Sequence, residues 1–170
     1  MFKKILILNT GGTFNKKYNQ VSGKLDVLND SSNVEDILSD IYKTNNQPKI
    51  KTIISKDSLE ITKKDRKEML YRIIEAKEEN IIIIHGTDTM NKTAKYINKR
   101  IKNKIIVIIG SMQPFSISKI EATGNLLMGI GYIEAINKKG VYICMNGIVD
   151  KYKKVKKDYK KAVFKRAINE

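Results

Sequence analysis

The stretch Ile81–Ala94 reads IIIIHGTDTMNKTA: four isoleucines, a glycine between His85 and Thr87, then Asp88 and Thr89. A run of four β-branched residues is too short for most helices and suits a strand buried on both faces. Such strands belong to parallel sheets covered by helices, where ligands collect beyond the carboxyl ends of the strands. The polar turn after Ile84 stands at that end. Ile5–Asn15, ILILNTGGTFN, has the same grammar: an apolar run, then small and hydroxylated residues. Two such turns in one small domain point to a constructed site.

Working outward, further apolar runs occur at Ile50–Ile54, Ile105–Ile109 and Val141–Met145. Helical spacing lies between most of them: Val34, Ile37, Leu38 and Ile41; Met69, Leu70, Ile73, Ile74 and Ala76 after the N-cap candidate Thr62; Ala94, Ile97 and Ile101; and Leu126, Leu127, Ile130, Ile133 and Ile136. This alternation predicts a doubly wound α/β domain with a mostly parallel sheet, helices on both faces and right-handed crossovers. Polar Asn15–Asn29 has no clear period and reads as a long loop of the kind used for lids. In the tail, Tyr152, Val155, Tyr159, Ala162 and Val163 recur at three- and four-residue spacing, which predicts an amphipathic helix with a solvated lysine face.

Composition sets the limits. The chain has 170 residues, 41% hydrophobic and 30% charged, enough for one domain over 1–170 with a real core. No run approaches the ~20 apolar residues of a bilayer span. Met1–Leu8 reads as a strand rather than a signal peptide, so a cytoplasmic location and no membrane partner are expected. A lone cysteine, Cys144, allows no internal disulfide and reads as a buried thiol. The net charge of +15 raises a nucleic-acid reading. Nearly half of that excess sits in residues 151–170, which carry nine basic residues against Asp158 and Glu170. Arginine, the residue of specific base readout, is scarce, and the tail reads first as a solvated helix face.

The turns suggest chemistry. A hydroxyl becomes a good nucleophile only when a base removes its proton. Thr13 follows Gly11 and Gly12, and glycine lets backbone turn sharply and approach a ligand. Thr87 lies between Gly86 and Asp88. A threonine, an aspartate and a desolvated lysine form a proton relay, and backbone N–H groups in these turns can hold an oxyanion. Acyl transfer and phosphate binding both remain open on these residues. TGGT lacks the Gly-Lys-Ser/Thr ending of a P-loop, which leaves nucleotide hydrolysis unsupported. His85 has no companion His or Cys, and no cluster asks for a metal or an organic cofactor.

Together, NTGGTFN (Asn9–Asn15) and IIIIHGTDTM (Ile81–Met90) resemble the two signature motifs of the bacterial-type L-asparaginase family. The resemblance continues through YNQVSGKL, IISKD, IIGSMQP and EATGNLL and covers Ile5 to about Asp150. It implies the flavodoxin-like N-terminal domain of that family and an amidohydrolase releasing ammonia from L-asparagine or a related small amide. By match, Thr13 is the nucleophile and Tyr18 assists it from a mobile loop. Ser55 holds the substrate carboxylate, Thr87 is the second catalytic hydroxyl and Asp88 meets the substrate ammonium. Gly12 and Gly86 shape the binding turns. Counting from Met145 and Asn146, the catalytic lysine falls on Lys157, in a segment the family makes extended and the periodicity makes helical.

Two departures stand out. The family's usual C-terminal domain, which closes the neighbouring subunit's site, has no counterpart in these residues, and the surface it would cover is expected to pair as a homo-oligomer. Lys56 follows Ser55 where many asparaginases carry a neutral glutamine. Turned inward, it repels a substrate ammonium or occupies Asp88; turned outward, it leaves the site alone. The alternatives to an enzyme are a small-ligand-binding module of the same fold and a nucleic-acid partner acting through the lysine-rich tail.

Overall fold

The computed structural model describes residues 3–43 and 46–167, so Met1, Phe2 and Glu170 lie outside it. The chain runs β1 (Ile5–Gly11), β2 (Lys16–Asn19), β3 (Lys24–Val27), α1 (Ser32–Ile41), β4 (Lys49–Lys56), α2 (Lys63–Glu75) and β5 (Asn80–Ile84). It continues with α3 (Met90–Asn98), β6 (Ile105–Ile109), α4 (Lys119–Ala135), β7 (Gly140–Met145), β8 (Ile148–Lys151), β9 (Val155–Asp158) and β10 (Val163–Arg166). Six strands form one sheet in the order β4-β1-β5-β6-β7-β8, parallel except for β8 at the edge. The two central neighbours, β1 and β5, are joined to strands on opposite sides of the sheet. The crevice at their carboxyl ends is the switch point of a doubly wound fold.

Hydrophobicity explains this arrangement. Every residue of β1, β5 and β6 is buried. Alternate side chains feed two cores. Ile5, Ile7, Ile82 and Ile84 pack with α1 and α4 on one face, and Leu6, Leu8, Ile81 and Ile83 pack with α2 and α3 on the other. Each fully buried isoleucine contributes about 1.5–3 kcal/mol. Thr62 caps α2 in a reciprocal capping box with Asp65.

Two expectations change. Asn15–Asn29 is not a structureless loop: β2 and β3 form an antiparallel hairpin. The Asn19 side chain closes its turn, accepting from Val21 N at 2.9 Å, and Gly23 supplies a φ of 66°. The tail is likewise a hairpin of β9 and β10, pairing Lys157 with Phe164, rather than an amphipathic helix. A short 3₁₀ turn, Tyr152–Lys154, precedes β9 and shifts the phase of its alternation. Tyr152 and Val155 are therefore buried at helix-like spacing without a helix. Val155, Tyr152 and Phe164 pack on the α2–α3 face. Asn91 of α3 pins the entry, donating to the carbonyls of Tyr152 (3.0 Å) and Val155 (2.7 Å).

Candidate active site

The two motif turns meet backbone to backbone. Gly12, at φ 77°, lies so close to the β5 turn that a Cβ there would fall 2.4 Å from Gly86 N. Gly86 in turn has no room for one, because the Ser58 Cβ lies 2.7 Å from its position. Only glycine tolerates that approach together with a positive φ. The Gly12 N–H donates to Lys56 O (2.9 Å), and the Thr10 hydroxyl donates to Ile84 O (2.6 Å). β1, β4 and β5 thus converge on one small volume.

Thr13 opens a 3₁₀ turn over Thr13–Asn15 and is half-buried. Its hydroxyl makes no hydrogen bond among the described residues. Thr87 is buried and Asp88 half-buried. Ser58 fixes their turn: its hydroxyl accepts from Asp88 N (3.2 Å) and its carbonyl accepts from the Thr89 hydroxyl (2.7 Å). The tail hairpin brings Lys157 into the same turn. Its Nζ donates to Thr87 Oγ1 at 2.8 Å and to Asp88 Oδ1 at 2.6 Å, with its side chain only 10% exposed. The Tyr159 hydroxyl adds a contact to Asp88 O at 3.0 Å.

Ser55 lies at the end of β4, its hydroxyl donating to Asn29 Oδ1 at 2.6 Å. Tyr18, on β2, is 59% exposed at the rim and bonds to neither threonine among the described residues. Lys56 takes the outward orientation. It pairs with Asp65, at 2.9 Å to Oδ1 and 3.0 Å to Oδ2, and reaches neither Asp88 nor Asp57. The reason is local, since Asp65 already points toward the end of β4 as part of the α2 capping box. Lys56 serves the turn through its backbone instead. Of the backbone donors expected in the turns, those of Gly12 and Asp88 are engaged. The N–H groups of Thr13 and Thr87 remain without an acceptor among the described residues.

Sequence reading missed a second ion pair. Lys16 and Asp57 meet at 2.6 Å and tie the β2–β3 hairpin to the end of β4. Burial would raise the Asp57 carboxyl, but the Lys16 hydrogen bond, the Leu59 N–H and the charges of Lys16 and Lys157 hold it below the usual range. Nothing in KDS or FNK alone reveals that pairing, because it depends on how the hairpin folds back. Beneath the turn lies a buried polar chain. His85 Nδ1 donates to Gly86 O (2.7 Å), and its Nε2 accepts from Thr93, whose hydroxyl accepts from Arg66 Nε (3.0 Å). Arg66 NH2 reaches Thr89 Oγ1 at 3.1 Å. Burial drives His85 down to about 4, so the imidazole is a neutral spacer under the turn. Among the described residues, no three His, Cys, Asp or Glu side chains converge as a metal site would need.

The family model for the N-terminal part of asparaginase matches residues 4–163. The chain belongs to the asparaginase family. An L-asparaginase 2 of Bacillus subtilis is 27% identical over 143 residues, covering 80% of the chain and 38% of that relative. A glutamyl-tRNA(Gln) amidotransferase component from Methanococcus vannielii is 29% identical over 153 residues, covering 87% and 35% respectively. The thermostable L-asparaginase from Thermococcus kodakarensis superposes with a TM-score of 0.78 at 25% identity, over 96% of the chain and 51% of that protein. The asparaginase-family chain thus spans between a third and about half of these relatives.

Proposed function

We propose that the chain carries the amide-hydrolysing centre of an asparaginase-type enzyme and releases ammonia from a small amide. The observation behind this reading is the contact of one lysine with both a threonine hydroxyl and an aspartate at the meeting point of two glycine turns. Thr13 Oγ adds to the amide carbon, the amide nitrogen leaves as ammonia carrying the hydroxyl proton, and water cleaves the resulting ester to the acid. Lys157 relays the proton through Thr87, and Asp88 orients it. The N–H groups of Thr13 and Thr87 face the developing oxyanion. Tyr18 closes over Thr13 from the hairpin, and Ser55 receives the substrate carboxylate. The free Oδ2 of Asp88 meets the substrate ammonium, and an outward Lys56 does not repel it.

Ammonia release from L-asparagine, L-glutamine and amides without an α-amine tests this directly. Thr13→Ala and Thr87→Val are each expected to abolish it in a folded protein. A wild-type rate in both variants rejects the assignment. The binding-module alternative loses the support that an inward Lys56 would have lent it. It predicts ligand-induced thermal stabilisation with no product, about 2.7 kcal/mol at a ligand concentration 100 times Kd.

The rim favours a partner as well. Tyr18, Val21, Leu25, Leu59, Ile117 and Ile120 are exposed, and all lie on segments beyond the carboxyl ends of the sheet strands. An apolar rim around a polar site fits a second copy of the chain closing over it. A monomer by light scattering at assay concentration, with full activity, rejects that arrangement.

A further inference from the structure

We propose that the groove between the start of α2 and α3 binds the phosphate backbone of a single-stranded nucleic acid. The groove measures about 520 Å³ and is lined by Lys63, Arg66, Lys92, Lys95, Lys99 and Arg100 together with Tyr96, with no carboxylate in its wall. No ion pair within 4.0 Å involves any of these cations among the described residues, whereas Lys16, Lys56, Lys157 and Lys165 each have a carboxylate partner. The cations are thus concentrated and form no ion pair, with Asp65 beside Arg66 offsetting part of its charge.

The charge is also directional. α2 and α3 carry seven basic and three acidic residues, while α1 and α4 on the opposite face carry one basic and five acidic. Net charge alone would spread over both faces. This partition gives the molecule one face for a polyanion and one that repels it.

Geometry favours a strand over a small anion. Lys92, Lys95 and Lys99 follow helical i, i+3, i+7 spacing and form a row about 10 Å long along α3 and its end. A nucleic-acid strand presents a linear series of phosphates, which a row of cations can follow, whereas a compact anion needs donors converging on one point. Arg66 is committed to Ile61 O, Thr89 and Thr93 and serves as a fixed positive floor. Beside the row, the Arg100 guanidinium stacks on the Tyr96 ring at 3.8 Å, a flat platform of the kind on which bases stack. No residue of the lysine-rich tail lines the groove, and within that tail Lys157 pairs with Asp88, Lys165 with Asp158 and Arg166 with Asp150.

Fluorescence titration of the full chain with oligouridylate and oligothymidylate of about 10 nucleotides, between about 50 and 200 mM salt, tests the proposal. Wild type is expected to bind at low salt and to weaken steeply as salt rises. Replacing Lys92, Lys95 and Lys99 with Gln is expected to weaken binding at least tenfold at low salt and to lower the log–log salt slope by about 2, at about 0.7 per contact. The matched charge control, Lys24, Lys119 and Lys138 to Gln, is expected to bind within threefold of wild type at an unchanged unfolding temperature. Preference for oligouridylate assigns RNA; equal affinity assigns the shared backbone. Equal losses in both triple variants, no wild-type binding up to about 100 µM (within the range of non-specific affinities), or binding of tripolyphosphate alone overturns the proposal.

Discussion

His85 is the chain's one histidine, and its environment gives stability a sharp dependence on pH. The ring is fully buried under the Thr87–Asp88 turn. Desolvation takes its pKa from 6.5 to about 4, opposed by the hydrogen bond to Gly86 and assisted by the nearby Arg66 charge. Between those values the unfolded chain binds a proton that the native chain refuses, so stability rises with pH. The contribution is complete above pH 6.5 and drains away as pH falls toward 4. A gap of about 2.5 pH units at about 1.4 kcal/mol each is worth about 3.5 kcal/mol. Urea unfolding at pH steps from about 7 to about 4.5 is expected to show this decline, and His85→Gln, which retains a donor and an acceptor, to flatten it. Carboxylates take over below that window. The same decline in His85→Gln, or an imidazole NMR titration centred above about pH 6, refutes the reasoning.

Two further substitutions test the site's geometry. Gly12→Ala combines a positive φ of 77° with a Cβ 2.4 Å from backbone and is expected to cost about 2–5 kcal/mol; Gly124→Ala on α4, with open space around it, is expected to stabilise slightly, and equal unfolding temperatures for the two would reject the tight-approach argument. Lys56→Ala removes a pair whose lysine is 42% exposed, so stability should change by less than about 1 kcal/mol. KM for the preferred amide should stay within twofold, whereas a large fall in KM would mean that the lysine turns into the site with substrate.

The five parallel strands of the sheet and its four covering helices were legible because unbroken β-branched runs alternate with helical periods, and burial on both faces leaves such runs few other homes; the antiparallel edge strand β8 was not. Both glycine turns were legible for the same reason, since they interrupt those runs at the carboxyl ends. The hairpins were not. β2 and β3 carry KKYN and KLDV, mostly half-exposed or exposed, and so give no burial signal. In the tail, the 3₁₀ turn at Tyr152–Lys154 placed buried Tyr152 and Val155 at a helical interval, so periodicity pointed to the wrong element. A further signal went unread: Asn146-Gly147, with φ 49° and 78°, is the two-residue turn joining β7 to β8. Lys56 and Lys16 each chose among several carboxylates, a choice made by tertiary position and invisible to spacing.

The join between Gly12 and Gly86 divides the site into parts of unequal stiffness. Two backbone turns in contact, without side chains to rearrange, inherit the rigidity of the most deeply buried strands in the molecule. Lys157 arrives instead on a two-stranded flap held by Asn91, Asn146 and a few apolar side chains. The threonines are thus the anvil and the lysine the hammer. The hydroxyl geometry is set by the central strands, while the Lys157 contacts are set by how the tail hairpin packs. Sequence change in the tail hairpin can therefore move Lys157 without disturbing the frame that holds the threonines.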